Sequence, residues 1–225
     1  PLSTSGPAAE PGLQMGSVTG RWVILAAVLG SGVAFLDSTV VNVALPAIAT
    51  DFHASLADLQ WVVTSYLLTL GSLLVIGGSL GDLFGRRRIF VIGLVGFAIT
   101  SLISGVAPSI GTLIAARALQ GLTAALLIPG SLAIISASFR PSDRGAAIGA
   151  WSGLAGVATA IGPFLGGFLI DSVSWRLVFL INLPIVVVTV FIANRHVPET
   201  RDETADRRVD VLGGAVLAAG LAGGA

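Results

Sequence analysis

Long runs of apolar residues, rarely interrupted by charge, make up most of the chain. A helix needs about 20 such residues to cross a bilayer. The pattern predicts spans at 22–48, 59–81, 89–107, 110–138, 145–170 and 177–194, and a further apolar stretch begins at Val211. Pro108 separates the third span from the fourth, because the residue before a proline disfavours helix. The pattern therefore predicts an all-α integral membrane protein.

The composition excludes several classes of protein. Hydrophobic residues make up 54% of the chain and charged residues 11%, and the mean hydropathy is +0.94. This is too little charge to cover a water-soluble core and too little polarity for disorder. The absence of cysteine excludes disulfides and thiolate metal sites, and two histidines leave little for an imidazole site. The net charge of zero gives no electrostatic argument for a nucleic-acid partner.

The arginines predict the orientation in the membrane. With the N-terminus in the cytoplasm, ten of the twelve arginines fall on the cytoplasmic side, Arg176 alone falls outside, and Arg117 lies within a span. Positive charge concentrates on the cytoplasmic side of membrane proteins. We therefore expect a disordered cytoplasmic tail at 1–20, a six-helix bundle at 21–194, a cytoplasmic loop at 195–209 and the start of a truncated seventh helix at 210–225. The single methionine, Met15, and the end within a helix indicate a fragment of a longer protein.

Two charged residues lie inside the predicted spans. Asp37 lies about 22 Å along the helix axis from Trp22, near the middle of the membrane. A carboxylate at that depth must be paired, hydrated or protonated, so Asp37 is a candidate proton carrier; the alternative is a structural residue that pins a neighbouring helix. The long side chain of Arg117 can reach either the level of Asp37 or the outer interface. Gln120, one turn after Arg117, extends this polar face.

Two further segments carry distinctive patterns. The loop between the second and third spans combines spaced glycines, one acid and three arginines, with Gly78, Gly81, Asp82, Gly85, Arg86 and Arg87 among them. Its glycines allow a tight turn between helix ends. The fifth span carries small residues that allow close helix contact, together with a proline: Gly149, Gly162, Pro163, Gly166 and Gly167.

These motifs resemble the major facilitator superfamily, and within it the fourteen-span drug/proton antiporter family. The resemblance covers nearly all of 21–225. It is carried by 36–46 in the first helix, which includes Asp37 and Asn42, by the loop at 78–88, and by 117–121 in the fourth helix. The segments 149–167, 175–184 and 210–213 match the fifth helix and the openings of the sixth and seventh.

The resemblance implies export of small hydrophobic or cationic compounds, antibiotics among them, against inward proton flow. This chain would be the amino-terminal six-helix bundle plus the start of a seventh helix, and the missing carboxy-terminal half would complete the cavity. The residues expected to couple protons or line that cavity are Asp37, Arg117, Gln120 and Asn42. Drug and proton would exchange at the same carboxylate, Asp37.

The resemblance also implies a cytoplasmic gate and a setting for the whole protein. Asp82 and Arg86 would latch the gate. The acid that the family places near the inner end of the fourth helix is absent, which leaves Asp143 as the nearest candidate. The protein would be a monomer in the plasma membrane, with no cofactor beyond the coupling proton.

Other functions remain open from the sequence. Proton-coupled uptake of a small metabolite is possible on the same fold, although the fifth-helix motif favours export. An intramembrane serine protease is disfavoured because His53 and His196 both fall in loops. A non-transporting membrane fragment is the third alternative, since half a cavity is not expected to transport.

Overall fold

The computed structural model describes residues 12–201 and residue 220. The helices are α1 (Val18–Phe52), α2 (Leu56–Phe84), α3 (Arg86–Gly105), α4 (Ile110–Ser138), α5 (Pro141–Ser172), α6 (Leu177–Leu180) and α7 (Asn182–His196). Among the described residues, six helical segments are long and apolar enough to cross a membrane, with α6 and α7 forming one of them. The predicted all-α fold with six spans is confirmed.

Side-chain caps explain where the first two helices begin. The Ser17 hydroxyl accepts a hydrogen bond from the Gly20 amide at 3.0 Å. Ser55 and Asp58 form a reciprocal capping box at the start of α2. These caps satisfy amides that have no partner within the helix, so both helices begin several residues before the apolar runs that predicted them.

The predicted boundary of the amino-terminal tail is wrong. We expected a disordered tail to residue 20, but α1 begins at Val18 and the segment before it pairs with the turn between α4 and α5. The Leu13 amide donates to the Ser138 carbonyl at 2.7 Å, and the Arg140 amide donates to the Leu13 carbonyl at 3.2 Å. Backbone pairing thus orders a polar segment that composition alone assigned to disorder. Residues 1–11 lie outside the described residues.

The sixth predicted span is interrupted at Ile181, between α6 and α7. Pro184 has no amide proton to donate to the Leu180 carbonyl, four residues earlier, which accounts for the break. Helix α7 ends at His196, two residues inside the predicted loop at 195–209. Most of that loop and the predicted seventh helix lie outside the described residues.

Helices α1 and α4 form the centre of the bundle. Helix α1 packs against α4, α5 and α7, and α4 also packs against α2 and α3. Gly121 of α4 lies so close to α2 that a Cβ there would overlap the Tyr66 carbonyl. Small residues permit such contact in a lipid-soluble bundle, where close packing takes over from the hydrophobic effect. The most apolar part of α1 is mostly buried, whereas most residues of α2 and α5 are at least partly exposed.

Candidate functional site

A buried polar network joins four helices at the middle of the bundle. Asp37 of α1 pairs with the Arg117 guanidinium of α4 through its Oδ2 atom. Its Oδ1 atom accepts hydrogen bonds from Gln120 Nε2 at 3.0 Å and from Asn182 Nδ2 at 2.9 Å. The four side chains are at most 1% exposed. Both oxygens of Asp37 are thus occupied, as the burial of a carboxylate requires.

Arg117 is held by more than its acid partner. Its Nη1 also donates to Gln120 Oε1 at 2.8 Å, and its Nε donates to the Val62 carbonyl at 3.3 Å. The guanidinium carbon lies 4.1 Å from the centre of the Tyr66 ring. A guanidinium stays charged at every physiological pH, so this ring and these acceptors compensate a charge that cannot be neutralised.

The structure brings together three of the four predicted coupling residues and leaves one apart. Asp37, Arg117 and Gln120 are in direct contact. The fourth, Asn42, is exposed, and its Nδ2 donates to the Ser38 carbonyl of its own helix at 2.8 Å. Asn42 lies five residues after Asp37 in α1, and its amide is satisfied locally.

The predicted position of Asp37 on a cavity wall differs from the observed one. The side chain is 0% exposed among the described residues and points between α1, α4 and α7. A substrate at the bundle surface does not reach the carboxylate in this arrangement. Exchange of drug and proton at one shared carboxylate stays a prediction, and it requires a second arrangement in which Asp37 is exposed.

Two members of the network, Asn182 and Ser101, were not among the site residues predicted from the sequence. Asn182 stands at the start of α7, and its Nδ2 also donates to Ser101 Oγ at 2.9 Å. Ser101 of α3 in turn donates to the Phe179 carbonyl at 2.9 Å. Asn182 is a polar residue within an apolar span and was a detectable signal, whereas a serine in a membrane helix is too common to point to a site. Asn182 Oδ1 is buried without a partner among the described residues.

The predicted gate loop forms a tight connection between α2 and α3. Asp82 pairs with Arg86, one turn on, at 2.7 Å. Gly85 adopts a φ of 107°, which favours glycine, and its amide donates to the carbonyl of the buried Gly81 at 3.0 Å. Gly78 lies further back in α2, where a Cβ would meet Pro129 of α4 at an ordinary 3.6 Å.

The segment after α7 lies against this loop. Glu199 Oε1 accepts from the Arg87 amide at 3.1 Å, and Glu199 Oε2 lies 3.5 Å from Arg87 Nε. The Arg86 amide donates to the Thr200 carbonyl at 2.9 Å, and Arg87 Nη1 donates to the Val197 carbonyl at 3.2 Å. Glu199 thus satisfies an amide in the first turn of α3, where negative charge is favoured.

Asp143, the acid that the sequence offered for the latch, belongs to another cluster. It accepts from the Met15 amide at 2.9 Å and from Arg140 Nε at 2.9 Å. Glu199, and not Asp143, is the acid beside Arg87. The sequence missed it because only the folded bundle brings the end of the sixth span beside the loop between the second and third.

Two glycines of the predicted fifth-helix motif face α1 at close range. A Cβ on Gly162 would overlap the Thr39 hydroxyl, and a Cβ on Gly166 would lie 2.9 Å from Val40 Cγ2. The other members of the motif lie in open surroundings: Gly149 and Gly167, where a Cβ would meet nothing within 4 Å, and Pro163, which is exposed. Part of the motif therefore serves packing against α1.

The buried ion pair within a bundle of membrane-length helices defines the class: a polytopic membrane protein with charge at its core. A family model described as Major Facilitator Superfamily matches residues 27–222. The chain belongs to the Major Facilitator Superfamily, as the motifs predicted. This is a family of transporters and not of enzymes.

Within this family, the chain is similar to drug resistance and export proteins. The chain is 41% identical, over 88% of its length, to a tetracenomycin C resistance and export protein of Streptomyces glaucescens. It is 43% identical, over 82% of its length, to the multidrug efflux pump LfrA of Mycolicibacterium smegmatis. The chain spans 37% of the length of each of these relatives.

The fold is also seen in a solved structure. The human organic anion transporter MFSD10 superposes with a TM-score of 0.65 at 19% sequence identity. The match covers 88% of this chain and 53% of the human protein. This likeness shows a shared fold.

Proposed function

We propose that the full-length protein containing this chain exports hydrophobic or cationic drugs, antibiotics among them, in exchange for protons by alternating access. The observation that carries the proposal is the buried Asp37–Arg117 pair in a family of transporters. An ion pair at membrane depth is costly and adds little stability over apolar packing, so a role in transport accounts for it best. The resistance and export proteins among the relatives support the direction of transport.

The geometry supports a definite proton step. In the deprotonated state, Asp37 carries one negative charge and neutralises Arg117. A proton taken up by the carboxylate cancels that charge and weakens the bond between α1 and α4. Arg117 retains the Val62 carbonyl, Gln120 and the Tyr66 ring. Release of the same proton on the other side restores the pair, so the proton is the coupling ion and no other cofactor is needed.

Coupling to the substrate then runs through α1. Since Asp37 is buried, substrate and proton bind on different faces of this helix and influence one another through its packing. Helix α1 contacts α4 through Asp37 and α5 through Gly162 and Gly166. A movement of α1 that follows protonation therefore reaches α5.

The setting of the protein is part of the proposal. The arginines at 86–88, 140 and 144 share the end of the bundle that holds the α2–α3 loop, and the positive-inside rule assigns that end to the cytoplasm. We place the protein in the plasma membrane, with a cytoplasmic N-terminus, as a monomer. Its cavity is completed by the part of the protein outside this chain.

Inside-out vesicles containing the full-length protein test the proposal. The vesicles are energised to an acid interior and then given ethidium, a lipophilic cation, or puromycin, while the interior pH is followed. Antiport predicts that at least one compound releases protons from the vesicles and accumulates inside. Vesicles without the protein are the control. Export of none of them overturns the proposed substrate class, and proton-coupled movement of a metabolite in the opposite direction favours uptake.

A further inference from the structure

An open pocket lies between α1 and α5, away from the buried ion pair. It has a volume of about 220 Å³ and is lined by Phe35, Trp151, Ser152, Ala155, Gly156 and Thr159. The five α5 residues recur at the spacing of one helix face. Phe35 and Asp37 are two residues apart in α1 and so point about 200° away from each other around the helix. One turn of α1 therefore presents the acid to the core and an aromatic ring to the pocket.

A hydrogen bond within the protein holds the indole of Trp151 in place. Its indole nitrogen donates to the Ser31 hydroxyl at 2.8 Å, and Ser31 donates to the Ala27 carbonyl at 2.8 Å. Ser31 is fully buried. The N–H of the indole is consequently used within the protein, and the part of Trp151 left for a ligand is its ring.

The chemistry of the lining selects for flat rings. None of the six described residues that line the pocket carries a charge. The Thr159 hydroxyl donates within its own helix, to the Ala155 carbonyl at 3.0 Å, while Ser152 is exposed. Two aromatic rings and a floor of Ala155 and Gly156 favour stacking over hydrogen bonding, and the ring faces attract cations.

The volume of the pocket limits the size of the group that it can hold. Sites that enclose a whole drug-sized molecule hold about 300–1,000 Å³. A pocket of 220 Å³ has room for part of such a molecule. The planar ring system is the part that its walls fit.

We propose that this pocket binds the planar aromatic portion of a substrate, neutral or cationic, and that Trp151 and Phe35 contact it. The inference rests on the proposed export function and assigns its substrate contact on this bundle to a surface separate from Asp37. Protonation at Asp37 would alter the pocket by moving α1, which carries both Asp37 and Phe35.

Binding of ethidium, a planar aromatic cation, to the purified full-length protein tests the site by fluorescence anisotropy. Gly156→Leu fills the pocket, and because a Cβ at Gly156 meets nothing within 4 Å, the helix packing is preserved. We expect its Kd to rise by about 10-fold or more. Gly153→Leu is the matched control: it lies on the same helix, also in open space, and does not line the pocket. Its Kd should stay within about 2-fold of wild type.

Two changes at Trp151 test the role of its ring. Trp151→Ala should raise the Kd for ethidium by about 3- to 10-fold, whereas Trp151→Phe, which keeps a ring, should retain most of the affinity. Binding that is unchanged in Gly156→Leu, equally weakened in Gly153→Leu, or absent in wild type overturns the proposal. The proton-release assay in vesicles tests the export function separately. A failed pocket assignment therefore does not contradict export.

Discussion

Arg117 carries a buried positive charge that the surrounding residues must compensate. Its guanidinium cannot lose its charge, it is 1% exposed, and its hydrogen-bond partners lie in α1, α2 and α4. Asp37 supplies the opposite charge, and Tyr66 and the Val62 carbonyl supply the remaining compensation. Removing the acid alone would leave a buried charge without its counter-ion, which costs more than the pair contributes.

This requirement predicts how two variants differ in stability. Asp37→Asn should lower the free energy of unfolding by about 3–5 kcal/mol because Arg117 loses its counter-charge. Asp37→Asn combined with Arg117→Gln leaves a neutral polar network and should recover most of that loss. Thermal unfolding of the purified full-length protein measures both. A double variant no more stable than Asp37→Asn would show that the charge of Arg117 is not what destabilises the single variant.

The sequence singled out Asp37 and Arg117 but left their pairing open, and it did not predict the surroundings that bury them. Asp37 and Arg117 stood out because charge within an apolar run is rare. Asn182 and Ser101 complete the network from α7 and α3, and such partners depend on helix rotations that the apolar pattern does not determine. For the same reason the sequence placed Asp37 on a cavity wall, whereas the structure places it inside the bundle.

Between elements, the contact of α1 with α5 depends on two glycines. Gly162→Ala should destabilise the protein by about 1–3 kcal/mol, since the new methyl group meets the Thr39 hydroxyl. Gly149→Ala is the control: it lies in the same helix in open space, where alanine favours helix by up to about 1 kcal/mol. Thermal unfolding distinguishes the two. Equal stability of both variants would argue against close α1–α5 packing.

The strap formed by residues 197–200 gives a second prediction at this scale. Glu199→Ala should speed hydrogen exchange at the Arg86 and Arg87 amides by about 2- to 5-fold, a small effect because the Glu199–Arg87 pair is partly exposed. Asp171→Ala, an exposed acid near the end of α5, is the control and should leave these amides unchanged. Exchange unaffected by Glu199→Ala would mean that the strap does not hold the loop.

Helix ends show why the spans were predicted better than their connections. Apolar length identified each membrane segment, and the range of α4 agrees with the predicted 110–138. The strap and the pairing of Leu13 with Phe139 depend on backbone hydrogen bonds between distant segments. Such contacts leave no periodic signal in the sequence.

For the whole molecule, the chain spans 37% of the length of the export protein of Streptomyces glaucescens, and the proposed function assigns part of the cavity to residues outside this chain. We expect the 225-residue chain alone to insert into membranes without releasing protons on addition of ethidium, while the full-length protein does so. The vesicle assay compares the two at equal membrane content. Drug-dependent proton release by the short chain would contradict a cavity shared with the rest of the protein.

The most direct measurement is drug-dependent proton release from inside-out vesicles that contain the full-length protein with Asp37→Asn and Arg117→Gln together. The double change keeps the buried network neutral, so loss of function does not simply report loss of folding. We predict that the variant folds, binds ethidium and releases no protons on its addition, while wild type does. Proton release equal to that of wild type would contradict the claim that Asp37 carries the coupling proton.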